Sequence, residues 1–281
     1  MLKVFSFSRR ADRLPGFRLH LWLAIGFLGC FVLLLIAALL SKSLSLGPGF
    51  FWHAITDARA VASYRVTISA ALEATVFNIL FGLLMAWILV RYRFPGRAWL
   101  DALVDLPFAL PTSVSGLALA TLFSTKGWLG APLLHVLHVK VAYAPLGVAV
   151  AMAFTGVPFV IRSVQPVLRS LDFDVEEAAT VLGARPFSIF RRIILPAIMP
   201  ALGTGATLAF GRAIGEFGAV IFIAGNIPYK TEITALLTYI HLDEFDYAGS
   251  AAIATVMLLL SFVVMVTVDY LEDASKRSVR L

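Results

Sequence analysis

The sequence predicts an all-α, polytopic membrane protein with about six transmembrane helices. Of its 281 residues, 60% are hydrophobic and only 14% are charged, whereas soluble domains carry about 25% charged residues. The mean hydropathy is +0.89. A membrane-spanning helix needs about 20 mainly apolar residues, and six stretches approach or exceed that length. They are residues 19–40, 66–90, 102–124, 142–161, 193–225 and 248–270.

The basic residues predict how these helices are oriented. Sixteen of the 23 lysines and arginines lie in residues 1–18, 91–101, 162–192 and 271–281. Because cytoplasmic segments carry the excess of Lys and Arg, we expect a cytoplasmic basic N-terminus, a cytoplasmic loop at 162–192 and a cytoplasmic tail. Residues 19–270 then form the transmembrane domain. The net charge of +6 follows from this topology, so no nucleic-acid partner is expected.

Several other functions are disfavoured by the sequence. The apolar run at 19–40 is longer than the 7–15 residues of a signal-peptide core, so it is predicted to be an uncleaved span. Cys30 is the single cysteine, so an internal disulfide is excluded. His135 and His138 have no further ligand nearby in the sequence, and no metal site is expected. No G-x-x-x-x-G-K-[ST] motif occurs, so any ATP hydrolysis would take place in another chain.

A polar interval separates the fourth span from the fifth. Asp174 and Glu177 have the spacing of a capping box at a helix start, and Gly183 suits the left-handed residue that ends a helix. Pro186 can then open a second helix. The interval is therefore predicted to be a helical hairpin with a glycine turn.

The hairpin carries the pattern E-A-A-x3-G-x9-I-x-L-P, which resembles the cytoplasmic loop of the membrane subunits of binding-protein-dependent ABC importers. The matched residues are Glu177, Ala178, Ala179, Gly183, Ile193, Leu195 and Pro196. In that family the short helix docks in a cleft of an ATPase subunit. The resemblance implies an ATPase-coupling site formed by Glu177, Ala178, Ala179, Gly183 and Arg185. The alternative is a surface hairpin without a partner.

A more specific resemblance covers the chain from about Ala62 to the sixth span. The stretches FGLLMAWILVRYRFPGR, LDALVDLPFALPT, GVPFVIRSVQPVL and GEFGAVIFIAGNIPYKTE are similar to the membrane subunits of sulfate/thiosulfate importers. This implies a type I ABC importer permease in a bacterial inner membrane. The implied partners are a second related permease, two ATPase subunits that bind ATP and Mg, and an external sulfate- or thiosulfate-binding protein. Import of molybdate or tungstate remains the alternative, because molybdate is also a tetrahedral dianion.

The third span contains helix-breaking residues beside hydroxyl groups. Pro107 and Pro111 are expected to break or kink it, and Thr112, Ser113 and Ser115 follow. Irregular backbone at membrane depth is tolerated where it is buried in protein or lines a cavity. The segment is therefore a candidate lining of the translocation pathway, with a proline-kinked packing helix as the alternative.

Ionisable residues mark two other spans. Arg212 and Glu216 are four residues apart in the fifth segment, which is too long for a simple span and is expected to be tilted or broken. The two can pair in a low dielectric. Their role is either structural or gating, or Arg212 attracts a passing anion. Glu73 in the second span is either a pathway residue or a packing group bonded to a neighbour.

Two other classes of function are less consistent with the sequence. A stand-alone ion-coupled carrier would use Glu73, Arg212 and Glu216, but the paired broken-helix repeats that such carriers often show are not evident. A membrane enzyme is disfavoured because no cluster with catalytic spacing occurs. The polar loop at 226–247 is expected to be an external docking surface, unless it is an ordinary solvated loop.

Overall fold

The computed structural model describes residues 17–278. The predicted basic N-terminus at 1–18 therefore lies almost wholly outside the described residues, as do the last three residues of the predicted tail. Within 17–278 the chain forms fourteen α-helices and a π-helical segment, without a strand. The elements are α1 Phe17–Ser43, α2 Pro48–Thr56, α3 Ala58–Arg91, α4 Arg97–Val104, α5 Leu106–Ala109, α6 Thr112–Phe123, α7 Gly130–Leu137, α8 Pro145–Ser170, α9 Phe173–Val181, α10 Pro186–Ile189, the π segment Phe190–Ile194, α11 Leu195–Ile214, α12 Gly218–Ala224, α13 Thr234–Asp243 and α14 Tyr247–Ser278.

Among the residues that the structure describes, five helical stretches are long and apolar enough to cross a membrane. They are Leu19–Ser43, Ala58–Arg91, Pro145–Ser170, Pro186–Ile214 and Tyr247–Thr267. The predicted third span is instead divided among α4, α5 and α6, of which α6 is the longest. The all-α, polytopic fold class is confirmed.

The two prolines account for the division of the third span. Pro107 lies in the first turn of α5, where a missing N–H costs nothing. Leu110, just before Pro111, is extended, because the proline ring disfavours helical backbone in the preceding residue. Pro111 then caps α6. The predicted break is therefore present.

The centre of the bundle is α8, which packs between α3 and α11. Val160 of α8 lies between Gly82 of α3 and Gly205 of α11. A Cβ atom on Gly82 would be 2.8 Å from the Cβ of Val160, and one on Gly205 would be 2.8 Å from its Cα. Small residues allow membrane helices to approach this closely. The three helices therefore form one tightly packed unit.

The outer helices expose apolar side chains. None of the residues in the most apolar part of α1 is buried, and Trp22 and Phe27 are largely exposed. The helix contacts α14, which also packs against α11 and α13. An apolar surface of this kind suits contact with lipid, where it costs no free energy.

Candidate functional site

The fifth membrane segment is interrupted between α11 and α12 by Gly215, Glu216 and Phe217. The Glu216 side chain is 1% exposed. Its Oε1 accepts a hydrogen bond of 2.8 Å from the backbone N–H of Ala219, and its Oε2 lies 2.7 Å from Nη1 of Arg212. A buried carboxylate needs such partners. Glu216 therefore stabilises the backbone interruption and is itself neutralised by Arg212, in the pair that the spacing predicts.

A cavity of about 500 Å³ opens beside this interruption. It is bounded by the first turn of α6, by both ends of the α11–α12 interruption and by α13. Its lining residues are Thr112, Ser113, Arg212, Gly215, Glu216, Phe217, Gly218, Ile221, Phe222 and Tyr239. The two broken segments meet here closely, since a Cβ atom on Gly218 would lie 2.2 Å from Oγ1 of Thr112. The structure thus brings together four of the predicted pathway residues, Thr112, Ser113, Arg212 and Glu216.

The remaining pathway candidates lie elsewhere. Pro107 borders a separate apolar groove of about 580 Å³. Pro111 precedes α6, and its carbonyl accepts a hydrogen bond of 3.3 Å from the hydroxyl of Ser115. Ser115 is buried, so its hydroxyl serves the turn and does not face the cavity. The structure gives both residues a local role at the start of α6.

Glu73 lies on the same apolar groove as Pro107. Its side chain is exposed. Among the described residues its carboxylate makes no hydrogen bond or ion pair, unlike the carboxylates of Glu232 and Glu216. Both interpretations of Glu73, as a pathway residue and as a packing group, therefore remain predictions. Most of the groove lining is aliphatic or aromatic.

The polar groups of the cavity are few. It presents one neutralised cation and the hydroxyls of Thr112, Ser113 and Tyr239. Over residues 17–278 no group of three or more His, Cys, Asp or Glu side chains is arranged to hold a metal ion. Guanidinium and hydroxyl donors suit an oxyanion. Since Glu216 offsets the charge of Arg212, the cavity has no large excess of positive charge to retain an anion.

The predicted hairpin forms α9, a tight turn and α10. The N-cap of α9 is Asp172, whose Oδ1 accepts a hydrogen bond of 3.2 Å from the backbone N–H of Asp174. The prediction that Asp174 is the N-cap, with Glu177 completing a capping box, is wrong. Asp172 has the extended backbone of an N-cap, whereas Asp174 lies inside the first turn and Glu177 is exposed.

The turn after α9 agrees with the prediction. Gly183 has φ +83°, a conformation in which a Cβ atom would be strained. Its N–H bonds to the carbonyl of Thr180 at 2.9 Å, and the N–H of Ala184 bonds to the carbonyl of Ala179 at 3.0 Å. This pair of bonds is a Schellman motif, which satisfies the last carbonyls of a helix. Pro186 then opens α10.

The hairpin exposes most of its predicted coupling residues. Glu177, Ala178, Gly183 and Arg185 are exposed, and Ala179 is half-buried. Beside them Val181 and Leu182 are each 87% exposed and Phe187 is 72% exposed. A cluster of exposed apolar side chains on a polar segment typically marks an interaction site.

A charged network on the α8 side of the hairpin was not predicted. Arg162 of α8 donates to Asp105 through Nε at 2.9 Å and to Asp101 through Nη1 at 2.7 Å. Gln165 donates to Asp101 at 3.1 Å. Burial alone would raise the pKa of Asp101, but the hydrogen bonds from Gln165 and Arg162 outweigh it and lower that pKa. The network ties the broken third segment to the helix that leads into α9.

The fold and the site define a class of protein. The chain superimposes on a chain of a bacterial ABC transporter involved in the import of the acidic polysaccharide alginate, with a TM-score of 0.74 and 15% identity, over 95% of this chain and 99% of that one. A second structure of a bacterial alginate ABC transporter, in complex with an alginate pentasaccharide-bound periplasmic protein, gives a TM-score of 0.70 at 15% identity, over 94% and 96% of the two chains. The fold is that of a type I ABC importer permease, as predicted.

Sequence comparison gives the family. The family described as "binding-protein-dependent transport system inner membrane component" matches residues 78–277. The chain is 50% identical to the sulfate transport system permease protein CysT of Salmonella typhimurium strain LT2, over 97% of each chain. It is also 50% identical to CysT of Escherichia coli K12, over 98% of this chain and 99% of that one. The chain belongs to the family of inner membrane components of binding-protein-dependent transport systems.

Proposed function

We propose that this chain is the membrane-spanning permease subunit of an ATP-driven importer for sulfate or thiosulfate. The observation that carries the proposal is the 50% identity to two sulfate permeases over nearly the whole of each chain. The sequence motifs that resemble sulfate/thiosulfate importers indicate the same substrate. No feature of the cavity favours molybdate or tungstate over sulfate.

The cavity between the two broken segments is proposed as part of the translocation pathway. Thr112 and Ser113 offer hydroxyl donors, and Arg212 offers a guanidinium that is about one third exposed. A pathway must attract its substrate without holding it tightly. Neutralisation of Arg212 by Glu216 meets this requirement, because a passing dianion would find donors but only a weak local excess of positive charge.

The hairpin is proposed as the ATPase-coupling site. Its small residues and glycine turn support docking into a cleft, with Glu177, Ala178, Ala179, Gly183 and Arg185 at the contact. ATP and Mg would be bound by the partner ATPase subunits, and no cofactor is proposed for this chain. Closure of the ATPase dimer would draw two such hairpins together and open the pathway outward, and hydrolysis would reset it. Such a transition requires contacts that differ between two states.

The remaining partners follow from the family. We infer a second permease subunit, an external sulfate- or thiosulfate-binding protein and a bacterial inner membrane with both termini in the cytoplasm. Fewer residues of the 226–247 loop can contact a partner than the sequence suggested. Glu232 is buried, and its Oε1 lies 2.7 Å from Nη2 of Arg59. Asp243, Glu244 and Phe245 remain exposed and are proposed to face the binding protein.

Co-purification tests the coupling assignment. The tagged chain in mild detergent should recover an ATPase and a second permease. Gly183→Trp should lose the ATPase while the permease pair remains, because a bulky residue at φ +83° deforms the turn. Gly47→Trp is the matched control, since Gly47 has a similar φ of +90° and open space around it but lies outside the hairpin, just before α2. Equal ATPase recovery from Gly183→Trp and the control would contradict the assignment.

Transport by the purified complex tests the substrate. Proteoliposomes containing the complex and its binding protein should take up labelled sulfate only with ATP, and excess thiosulfate should compete more strongly than molybdate. Preferential uptake of molybdate would overturn the substrate. Transport by this chain alone without ATP would make it a carrier and overturn the proposal as a whole.

A further inference from the structure

One buried cation at the end of α3 belongs neither to the cavity nor to the family loop pattern. Arg91 is the last residue of α3, and its side chain is only 7% exposed. Its Nη2 pairs with Oε1 of Glu176 on α9. The guanidinium carbon lies 4.4 Å from the ring centre of Phe173, the first residue of α9, and 5.4 Å from that of Trp87. The cation therefore contacts an aromatic ring on its own helix and another on α9.

Trp87 extends this contact to the other arm of the hairpin. It lies one helical turn before Arg91 and makes an edge contact with the ring of Phe190, with ring centres 5.6 Å apart and planes at 80°. Phe190 directly follows α10, the second arm of the hairpin, and begins the π segment. We call the contacts of Trp87 and Arg91 with Phe173, Glu176 and Phe190 the α3 clamp. The clamp holds both arms of the hairpin at one end of α3.

The two arms of the hairpin are attached to the bundle differently. Ile189 of α10 is buried in the hydrophobic core, whereas no residue of α9 is buried and this helix reaches the core through the half-buried Ala179. The Nε and Nη1 atoms of Arg91 are buried without a hydrogen-bond partner among the described residues. The charge of Arg91 therefore depends on Glu176 and the two rings, since a buried cation is costly without a partner. A contact of this kind fixes both distance and orientation, because the guanidinium is planar.

We propose that Arg91 is a positioning residue that transmits the displacement of α9 to α3, an inference that rests on the proposed role of the hairpin in ATPase coupling. A helix held only by its chain ends would rotate when a partner moved it. The clamp makes α9 and the end of α3 move together. Because α3 packs closely on α8 through Gly82 and Val160, the movement would reach the centre of the bundle.

Hydrogen exchange of the purified chain tests the clamp without requiring transport. In Arg91→Gln and in Glu176→Gln, the amides of Phe173–Val181 should exchange about fivefold faster than in the wild type, because local opening becomes easier. Arg91→Lys keeps the charge but loses the planar stacking, so its effect should be intermediate. Arg93→Gln is the control, since Arg93 is an exposed cation two residues further on. Unchanged exchange in both clamp variants would overturn the inference.

Coupling in the reconstituted complex tests whether the clamp transmits motion. Arg91→Gln should raise the ATP hydrolysed per sulfate imported by about threefold or more, as expected when a connecting network is weakened. Arg93→Gln should leave that ratio unchanged. If import and hydrolysis fall in proportion, Arg91 only supports folding and the inference is wrong. If the wild-type complex imports no sulfate with ATP, the proposed function is wrong. Whether the α3 clamp holds α9 is then decided by the hydrogen-exchange measurement alone.

Discussion

Single residues at the interrupted fifth segment have separable roles. Glu216 both caps the backbone at Ala219 and pairs with Arg212, so it supports the local fold as well as the charge balance of the cavity. Thr112 and Ser113 contribute hydroxyls to the same cavity. The Glu216 side chain is almost fully buried, whereas that of Arg212 is partly exposed. We therefore expect that removal of the carboxylate mainly lowers the stability of the fold.

Replacement of Glu216 by alanine tests this role. The substitution leaves the N–H of Ala219 and the Arg212 cation without their partner, so we expect a loss of about 3 kcal/mol, at the lower end for a broken buried pair. The measurement is unfolding of the detergent-solubilised chain. Glu73→Ala, which removes an exposed carboxylate without a partner, should cost under about 0.5 kcal/mol. Equal losses in the two variants would show that Glu216 has no special structural role.

At the scale of elements, the meeting of α6 and α12 depends on a missing side chain. A Cβ atom at Gly218 would overlap Thr112, whereas one at Gly215 would have its nearest neighbours at 3.9 Å. The two glycines therefore differ sharply in whether they can accept a side chain, although they lie three residues apart. Because α11 ends at Ile214 and α12 begins at Gly218, the two glycines do not lie on one continuous helix.

This difference predicts unequal effects of the same substitution. Gly218→Ala should destabilise the chain by about 1–3 kcal/mol, the usual cost of overpacking, and should narrow the cavity. Gly215→Ala should be nearly neutral. Thermal unfolding of the two variants would measure the destabilisation. Uptake of sulfate by the reconstituted complex would report the narrowing of the cavity. A neutral Gly218→Ala would mean that α6 and α12 separate easily, contrary to the close approach described here.

Elements also show where sequence reasoning succeeds. The broken third span and the glycine turn were predictable, because Pro107, Pro111 and Gly183 act on their own backbone. The α3 clamp and the Arg162 network were not, since Arg91 and Glu176 are 85 residues apart and only packing brings them together. The cap of α9 was misplaced because Asp174 has Glu177 three residues on, whereas the observed cap, Asp172, is followed at that distance by Val175; the position at which the backbone turns decides between them.

On the scale of the whole molecule, the proposed topology places two exposed sites on opposite sides of the membrane. Val181 lies on the hairpin, and Phe245 lies just after α13. A cysteine replacing Phe245, in a Cys30→Ser background, should react with a membrane-impermeant thiol reagent in intact cells. A cysteine replacing Val181 should react only after the membrane is opened. The reverse pattern would invert the proposed topology, and labelling of both from outside would contradict it.

The peripheral position of α1 has a consequence for how such chains diversify. The tightly packed unit of α3, α8 and α11 is complete without it, because α1 contacts α14 at the edge of the bundle. An element that contributes so little to the interior is free to change sequence, length or neighbours under selection, while residues around Val160 are not. We expect α1 to be the region in which related chains differ most.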